Sequence, residues 1–304
     1  MALNYAEKWN RELVPIIIDG TYTSPFVTTN VKWLDAKTFH FTSMSTGGFK
    51  NHSRKGGWNR QEYNQQDHPF TITHDRDVEF IVDKADVDET NQTASIKNIA
   101  NVFVATQQVP ETDAYFFEKL ADYATKASLT AEKTLADYSP EKVLAQLKAD
   151  IGQVRRYKNK GLIVYVAPEI MDNLTLSPLI APTVKTTTIS ESGRGIETRV
   201  ATIDGIPVME IIDTDRFCTK FKYDGETGGF EKDVAGKEIL VAMATPLTTM
   251  TVPKIESIYS FAPGTHTQGD GYLYQHRAMW DTFVMPNGKD GKVDSVYVVT
   301  KQGE

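Results

Sequence analysis

"STGGFKNHSRKGGWNRQEYNQQDHPF", residues 45–70, carries Gly47, Gly48, Gly56 and Gly57, four cations (Lys50, Arg54, Lys55, Arg60), and Glu62 as its one acid before Asp67. It lies between two segments with strand periodicity. Before it, "DAKTFHFTSMS" alternates Phe39 and Phe41 with polar residues, the pattern of a half-buried strand. After it, "PFTITHDRDVEFIVD" places Phe70, Ile72, Val78, Phe80 and Val82 on one parity and Thr71, Thr73, Asp75, Asp77 and Glu79 on the other. That segment reads as one long strand or as two joined by a polar kink. Ordinary hairpin loops run to about 2–5 residues, so a connection this long is a functional extension or a disordered one.

Helical periodicity follows. Ile96, Ile99, Ala100 and Phe103 keep i, i+3, i+4, i+7 spacing, and Phe117, Leu120, Ala121 and Ala124 resume it beyond Pro110, which kinks one helix or divides two. Ser139, Pro140 and Glu141 form a start signal for a helix whose Val143, Leu144, Leu147, Ile151 and Val154 share a face. "LIVYVA" and "EILVAMA" are continuous apolar runs expected as buried strands, and "PEIMDNLTL" is a short helix opened by Pro168. "RVATIDGIPVMEII" is two short strands around the turn pair Asp204-Gly205, and the C-terminal third is mostly strand. A short helix is expected over residues 3–14, and the Thr-rich "TYTSPFVTTN" reads as an arm lying along something else. Helices and strands are segregated, which makes the class α+β.

Composition narrows the function. Forty per cent hydrophobic and 24% charged residues describe a folded globular chain. A net charge of −7 opposes a dedicated nucleic-acid binder, whose phosphate contacts need a basic field. The single cysteine, Cys218, in a strand-like setting, excludes a disulfide framework and suits a reducing cytoplasm. The stretch "MALNYAEKWNRELV" does not read as a secretory signal, and no apolar run approaches membrane length.

No phosphate loop, dinucleotide fingerprint, zinc-protease helix or nucleophile elbow occurs, so no catalytic, cofactor-binding or metal residue is assigned. The acids Asp83, Asp86, Asp88 and Glu89 lack the spacing and glycine of a calcium loop. They read as a solvated strand face followed by acids at a helix start, where the dipole favours them.

The order of these elements resembles the tailed-bacteriophage major capsid proteins of the Hong Kong 97-type fold. The likeness rests on the glycine-rich hairpin, on "SIKNIANVFVATQQVPETDAYFFEKLADYA", on "SPEKVLAQLKADIGQVRRYKNKGLIVYVAPEIMDNL", on "TIDGIPVMEI" and on "GDGYLYQHRAMWDTFVMPNGKDGKVDSVYVVT". It implies an N-terminal arm (1–36), an extended loop formed by a long β-hairpin (37–88), a peripheral domain in two parts (89–137, with a spine helix, and 247–304) and an axial domain (138–246). It further implies a non-enzymatic subunit that self-assembles as hexamers and pentamers into an icosahedral head around double-stranded DNA. A separate scaffolding protein and a portal protein are the implied partners, and assembly in the host bacterial cytoplasm gives a virion capsid.

On this reading Gly47, Gly48, Gly56 and Gly57 are joints of the extended loop. Lys50, Arg54, Lys55 and Arg60, with Trp58, make its contacts, and the acids Asp75, Asp77, Glu79, Asp83, Asp86, Asp88 and Glu89 of an adjacent copy are the expected partners. The same fold as an encapsulin-type nanocompartment shell is the alternative. An enzyme using the Asp83–Glu89 acids ranks below both.

Overall fold

The computed structural model describes residues 21–29, 31, 33, 35, 37–52, 56, 58–85, 96–178, 185–189, 196–223, 228–266, 269–287 and 291–303. The helix expected over residues 3–14 lies outside them.

Strands β1 (Thr38–Thr46) and β2 (Tyr63–Thr71) pair antiparallel from Thr38↔Thr71 to Thr46↔Tyr63 as an isolated two-stranded ribbon. The chain then breaks at Ile72 and Thr73, and β3 (His74–Asp83) joins a different sheet. The polar-kink alternative is therefore the one realised. The paired hairpin ends at Thr71, short of the 37–88 span.

A long helical segment follows. Helix α1 (Ile96–Phe103) continues through a π-helical turn, Val104–Gln108, into α2 (Val109–Lys126). The wide turn sits immediately before Pro110, where no N–H is available, and Val109 N–H reaches back five residues to the carbonyl of Val104. Pro110 thus disturbs one helix and does not split it.

Beyond it come β4 (Thr130–Lys133), α3 (Val143–Gln153), β5 (Ile163–Val166), α4 (Pro168–Thr175), β6 (Lys185–Ile189), β7 (Ile196–Ile203) and β8 (Ile206–Glu210). Two short strands, β9 (Phe221–Lys222) and β10 (Glu231–Lys232), precede β11 (Ile239–Ala244), β12 (Thr249–Phe261), β13 (Gly271–Val284) and β14 (Tyr297–Lys301). Helix α3 starts later than its sequence signal. Ser139 offers its carbonyl to the N–H groups of Lys142 and Val143, but the chain spends Pro140–Lys142 in turns because Tyr138 is already anchored, its hydroxyl donating to Asp150 at 2.6 Å. Asp204 and Gly205 both adopt positive φ (51° and 82°), the backbone a two-residue hairpin demands, so β7 turns directly into β8.

Seven strands form a mixed sheet in the order β4-β14-β11-β5-β8-β7-β6, and three form an antiparallel sheet, β12-β13-β3. The larger sheet takes β4 and β14 from outside residues 138–246, so its core mixes chain segments from both sides of that span. Phe116, Phe117, Leu120 and Ala124 of α2 pack there with Leu147, Ile151, Ile170 and the wholly buried β5 and β11. A second cluster sets α1 on the smaller sheet through Ile96, Ala100, Val104, Ile258 and Tyr274.

Cys218 is buried and free, and it makes an isolated bridge to Glu238 where a regular strand was expected. Its neighbour Gly236 leaves no room: a Cβ there would stand 2.7 Å from both the Cys218 sulfur and the Lys220 carbonyl.

The segment that begins the described chain is anchored on a buried carboxylate. Asp113 of α2, fully buried, accepts from Tyr22 N–H (3.2 Å), Thr23 N–H (3.2 Å), the Thr23 hydroxyl (2.9 Å) and Arg216 Nη1 (3.1 Å). Tyr165 adds a hydroxyl bond to the Tyr22 carbonyl at 2.8 Å, and Phe26 packs on Phe116 with ring centroids 4.9 Å apart. Burial pushes the Asp113 pKa up while Arg216 and the arm donors pull it down. Removing one partner of such a buried, hydrogen-bonded pair costs about 3–5 kcal/mol. Asp113→Ala should therefore lower unfolding stability by about that amount in urea titration, whereas Asp122→Ala, which breaks an exposed pair with Lys126, should change it by less than about 1 kcal/mol.

Candidate interaction surface

Among the described residues, the ribbon of β1 and β2 is fixed at its root. Phe39 has no exposed surface and lies in a cluster with Ile72, Met250, Val252, Met279 and Phe283. Aromatic contacts tighten it: Phe39 meets Trp33, Phe70 and Phe283 at centroid distances of 5.3, 5.7 and 5.2 Å. Lys254 Nζ stands 3.6 Å from the centroid of the Trp33 ring, a cation–π contact. Alternation explains the arrangement. On β13, Tyr274, Ala278 and Trp280 belong to clusters with the long helix, while Met279 and Phe283 belong to the hairpin root.

Beyond the root the described residues of the ribbon form no core of their own. Every described residue from Thr46 to Asp67 is exposed. Thr42 donates to Asp67 across the strands at 2.6 Å, and near the tip Asn59 Nδ2 donates to the Asn51 carbonyl at 3.0 Å. The exposed side chains include large apolar ones: Met44, Tyr63, Trp58 at 95% and Phe49 with nothing over it. A two-stranded ribbon is at best marginally stable alone in water. Exposed large apolar side chains gathered on such a ribbon are the kind of surface patch that marks an interaction site.

Of the residues singled out from sequence, Gly47, Gly48, Lys50, Gly56, Trp58 and Arg60 all lie on this exposed tip. Arg54, Lys55 and Gly57 lie outside the described residues. Along β3, Asp77, Glu79 and Asp83 are exposed, while Asp75 is half-buried. Asp75 is engaged within its own chain: Arg277 donates to it from Nε (2.9 Å) and Nη2 (2.7 Å), with Lys37 3.7 Å away, and the Arg277 bonds hold its pKa below the usual carboxylate range. Glu79 accepts from Gln275 at 2.5 Å, and the Asp83 carboxylate accepts from the N–H of Ala85. Asp86, Asp88 and Glu89 lie outside the described residues.

Among the described residues no group of three or more His, Cys, Asp or Glu is placed to hold a metal, and no helix is long and apolar enough to cross a membrane. The residues that sequence reasoning missed are those that hold the elements together: Phe283 and Met279 at the root, and the buried carboxylates Asp113 and Asp281.

No protein-family model and no curated protein matches the sequence. The fold does have counterparts. The mature capsid of bacteriophage PhiM1 matches with a TM-score of 0.63 at 12% identity, covering 94% of this chain and 88% of that one. The fold is that of a phage capsid subunit. The capsid of cyanophage P-SCSP1u matches equally broadly, with a TM-score of 0.62 at 12% identity over 94% of this chain and 89% of that one. A virus-like particle from Pyrococcus furiosus covers 98% of this chain and is itself covered completely, at a TM-score of 0.51 and 13% identity. The α+β class and the capsid likeness read from element order thus hold across nearly the whole chain.

The root is the ribbon's attachment, so it is the place to test. Phe→Ala in a full core costs about 3–5 kcal/mol. Phe39→Ala should remove amide-exchange protection from β1 and β2 while that of β5 and β11 persists. Equal loss in all four strands would show that the ribbon is not an independent unit.

Proposed function

We propose that this chain is the major capsid protein of a tailed bacteriophage, assembling as hexamers and pentamers into an icosahedral shell that encloses double-stranded DNA. One observation carries the reading: a capsid fold over 94% of the chain bears an exposed aromatic and basic ribbon that meets no described part of its own subunit beyond the root. Ordering such an extension in isolation costs conformational entropy, and contact with a neighbouring copy returns that free energy. The role is structural and non-enzymatic, and the chemistry is non-covalent.

In this reading Lys50 and Arg60, with Arg54, Lys55 and Trp58, reach the exposed acids of an adjacent copy. Asp77, Glu79 and Asp83 are the better partners, because Asp75 is engaged by Arg277 and Lys37. Gly47, Gly48, Gly56 and Gly57 let the tip bend, and Asp86, Asp88 and Glu89 extend the same acidic stretch. A net charge of −7 suits an inner wall that does not grip packaged DNA. The proposal places the protein in the virion capsid after assembly in the host bacterial cytoplasm, with a separate scaffolding protein and a portal as partners.

A second reading, a cargo-holding nanocompartment, draws on the match to the Pyrococcus furiosus particle, which spans both chains but with a lower TM-score than the phage capsids.

Electron microscopy of the purified protein, alone and with any scaffolding protein encoded beside it, is the direct test. Closed shells of regular diameter are expected, and persistent monomers under both conditions would overturn the reading. Particles purified from infected cells should contain double-stranded DNA; a protein cargo in its place would favour the compartment. Deleting residues 47–57 should leave a folded subunit that no longer forms stable particles, measured by circular dichroism and sedimentation. Lys50→Glu with Arg60→Glu should weaken particles most at low salt, where exposed ion pairs are least screened.

A further inference from the structure

The break between β2 and β3 is held from two sides. Thr73 donates its N–H (3.0 Å) and its hydroxyl (2.9 Å) to one oxygen of Asp281, a β13 residue with 1% exposure. The other oxygen of Asp281 accepts from the Tyr115 hydroxyl at 3.0 Å and has Lys119 Nζ at 3.4 Å. The next residue, His74, stacks on the Tyr115 ring with centroids 4.0 Å apart and places Nε2 3.1 Å from Glu111.

Glu111, Tyr115 and Lys119 are spaced i, i+4, i+8, which puts them in one row along α2. A single stripe of the long helix therefore grips the two consecutive residues through which the ribbon joins the body. Burial and the neighbouring Asp281 charge both raise the Tyr115 hydroxyl pKa, so it remains a donor throughout the range in which the protein is handled.

We infer that Asp281 is a positioning residue that couples the direction of the β1–β2 ribbon to the long helix, through Thr73 on one side and Tyr115 and Lys119 on the other. A rotation of α2 about its axis carries Glu111, Tyr115 and Lys119 together, and the ribbon follows because its joint is bonded to that row. The carboxylate suits the role. Its two oxygens accept from the joint and from the helix at once, whereas an amide offers one acceptor and turns a donor toward the other side. This inference concerns the same ribbon that the shell reading uses, but its test is made on free subunits and stands whether or not particles form.

The test is a distance measurement by double electron–electron resonance. Nitroxides are attached at Met44→Cys, in the paired part of β1, and at Lys126→Cys, at the exposed end of α2, with Cys218→Ala to leave two labels. The parent should give one narrow distance distribution. Asp281→Asn and Thr73→Val should each broaden or shift it, with native circular dichroism retained. Asp150→Asn serves as a control: it loses a buried carboxylate that accepts from Tyr138 far along the chain from the joint, and it should leave the distribution unchanged. Should Asp281→Asn fail to fold, Thr73→Val, which deletes one part-buried hydroxyl contact, decides alone. An unchanged distribution in Thr73→Val, or broadening in Asp150→Asn equal to that at the joint, would overturn the coupling and leave Asp281 a stabilising core carboxylate.

Discussion

Asp113 is the point on which the subunit's organisation depends. A carboxylate with no exposed surface is tolerated only when its oxygens are fully engaged, and here two backbone N–H groups, a hydroxyl and a guanidinium engage them. Those donors come from the arm segment and from the stretch after β8, so one residue of α2 joins three distant parts of the chain. The apolar packing around it, Phe26 on Phe116 and Phe117 against Phe217, follows from that arrangement.

Asp281 has the same logic at the hairpin joint. Both carboxylates meet α2, so the long helix is the member against which the arm and the hairpin joint are each referenced. The larger sheet adds a topological tie. Its edge pairs β14 with β4 in parallel, bringing the C-terminal strand beside the segment that follows α2. Chain segments far apart in sequence therefore share one core, the arrangement that favours cooperative unfolding.

Much of this was legible in the sequence where local periodicity decides. The apolar runs of β5 and β11, the Asp204-Gly205 turn and the two helical stretches around Pro110 carry their own signals. The segregation of helix and strand and the order of elements were enough for the capsid likeness. What was not legible depends on partners remote in sequence. Whether residues 70–83 form one strand or two is settled by Asp281, 208 residues from Thr73. The role of Asp113 depends on donors 90 and 103 residues away. The start of α3 misled because Ser139, Pro140 and Glu141 are good capping chemistry, yet Tyr138 had already fixed the chain through Asp150. The tip carries glycines, cations and isolated aromatics with no periodicity, a composition with little for a subunit to bury, and its described residues are exposed.

The ribbon's length gives its narrow root a mechanical meaning. Nine paired residues per strand at roughly 3.3 Å each make a lever about 30 Å long. A turn of about 10° at Ile72 and Thr73 would sweep the far end of the paired strands through about 5 Å, more than one strand spacing. If the joint is coupled as inferred, small adjustments beside a buried carboxylate would become displacements comparable with the spacing between neighbouring strands. Such a chain would need no large internal rearrangement to change what it touches.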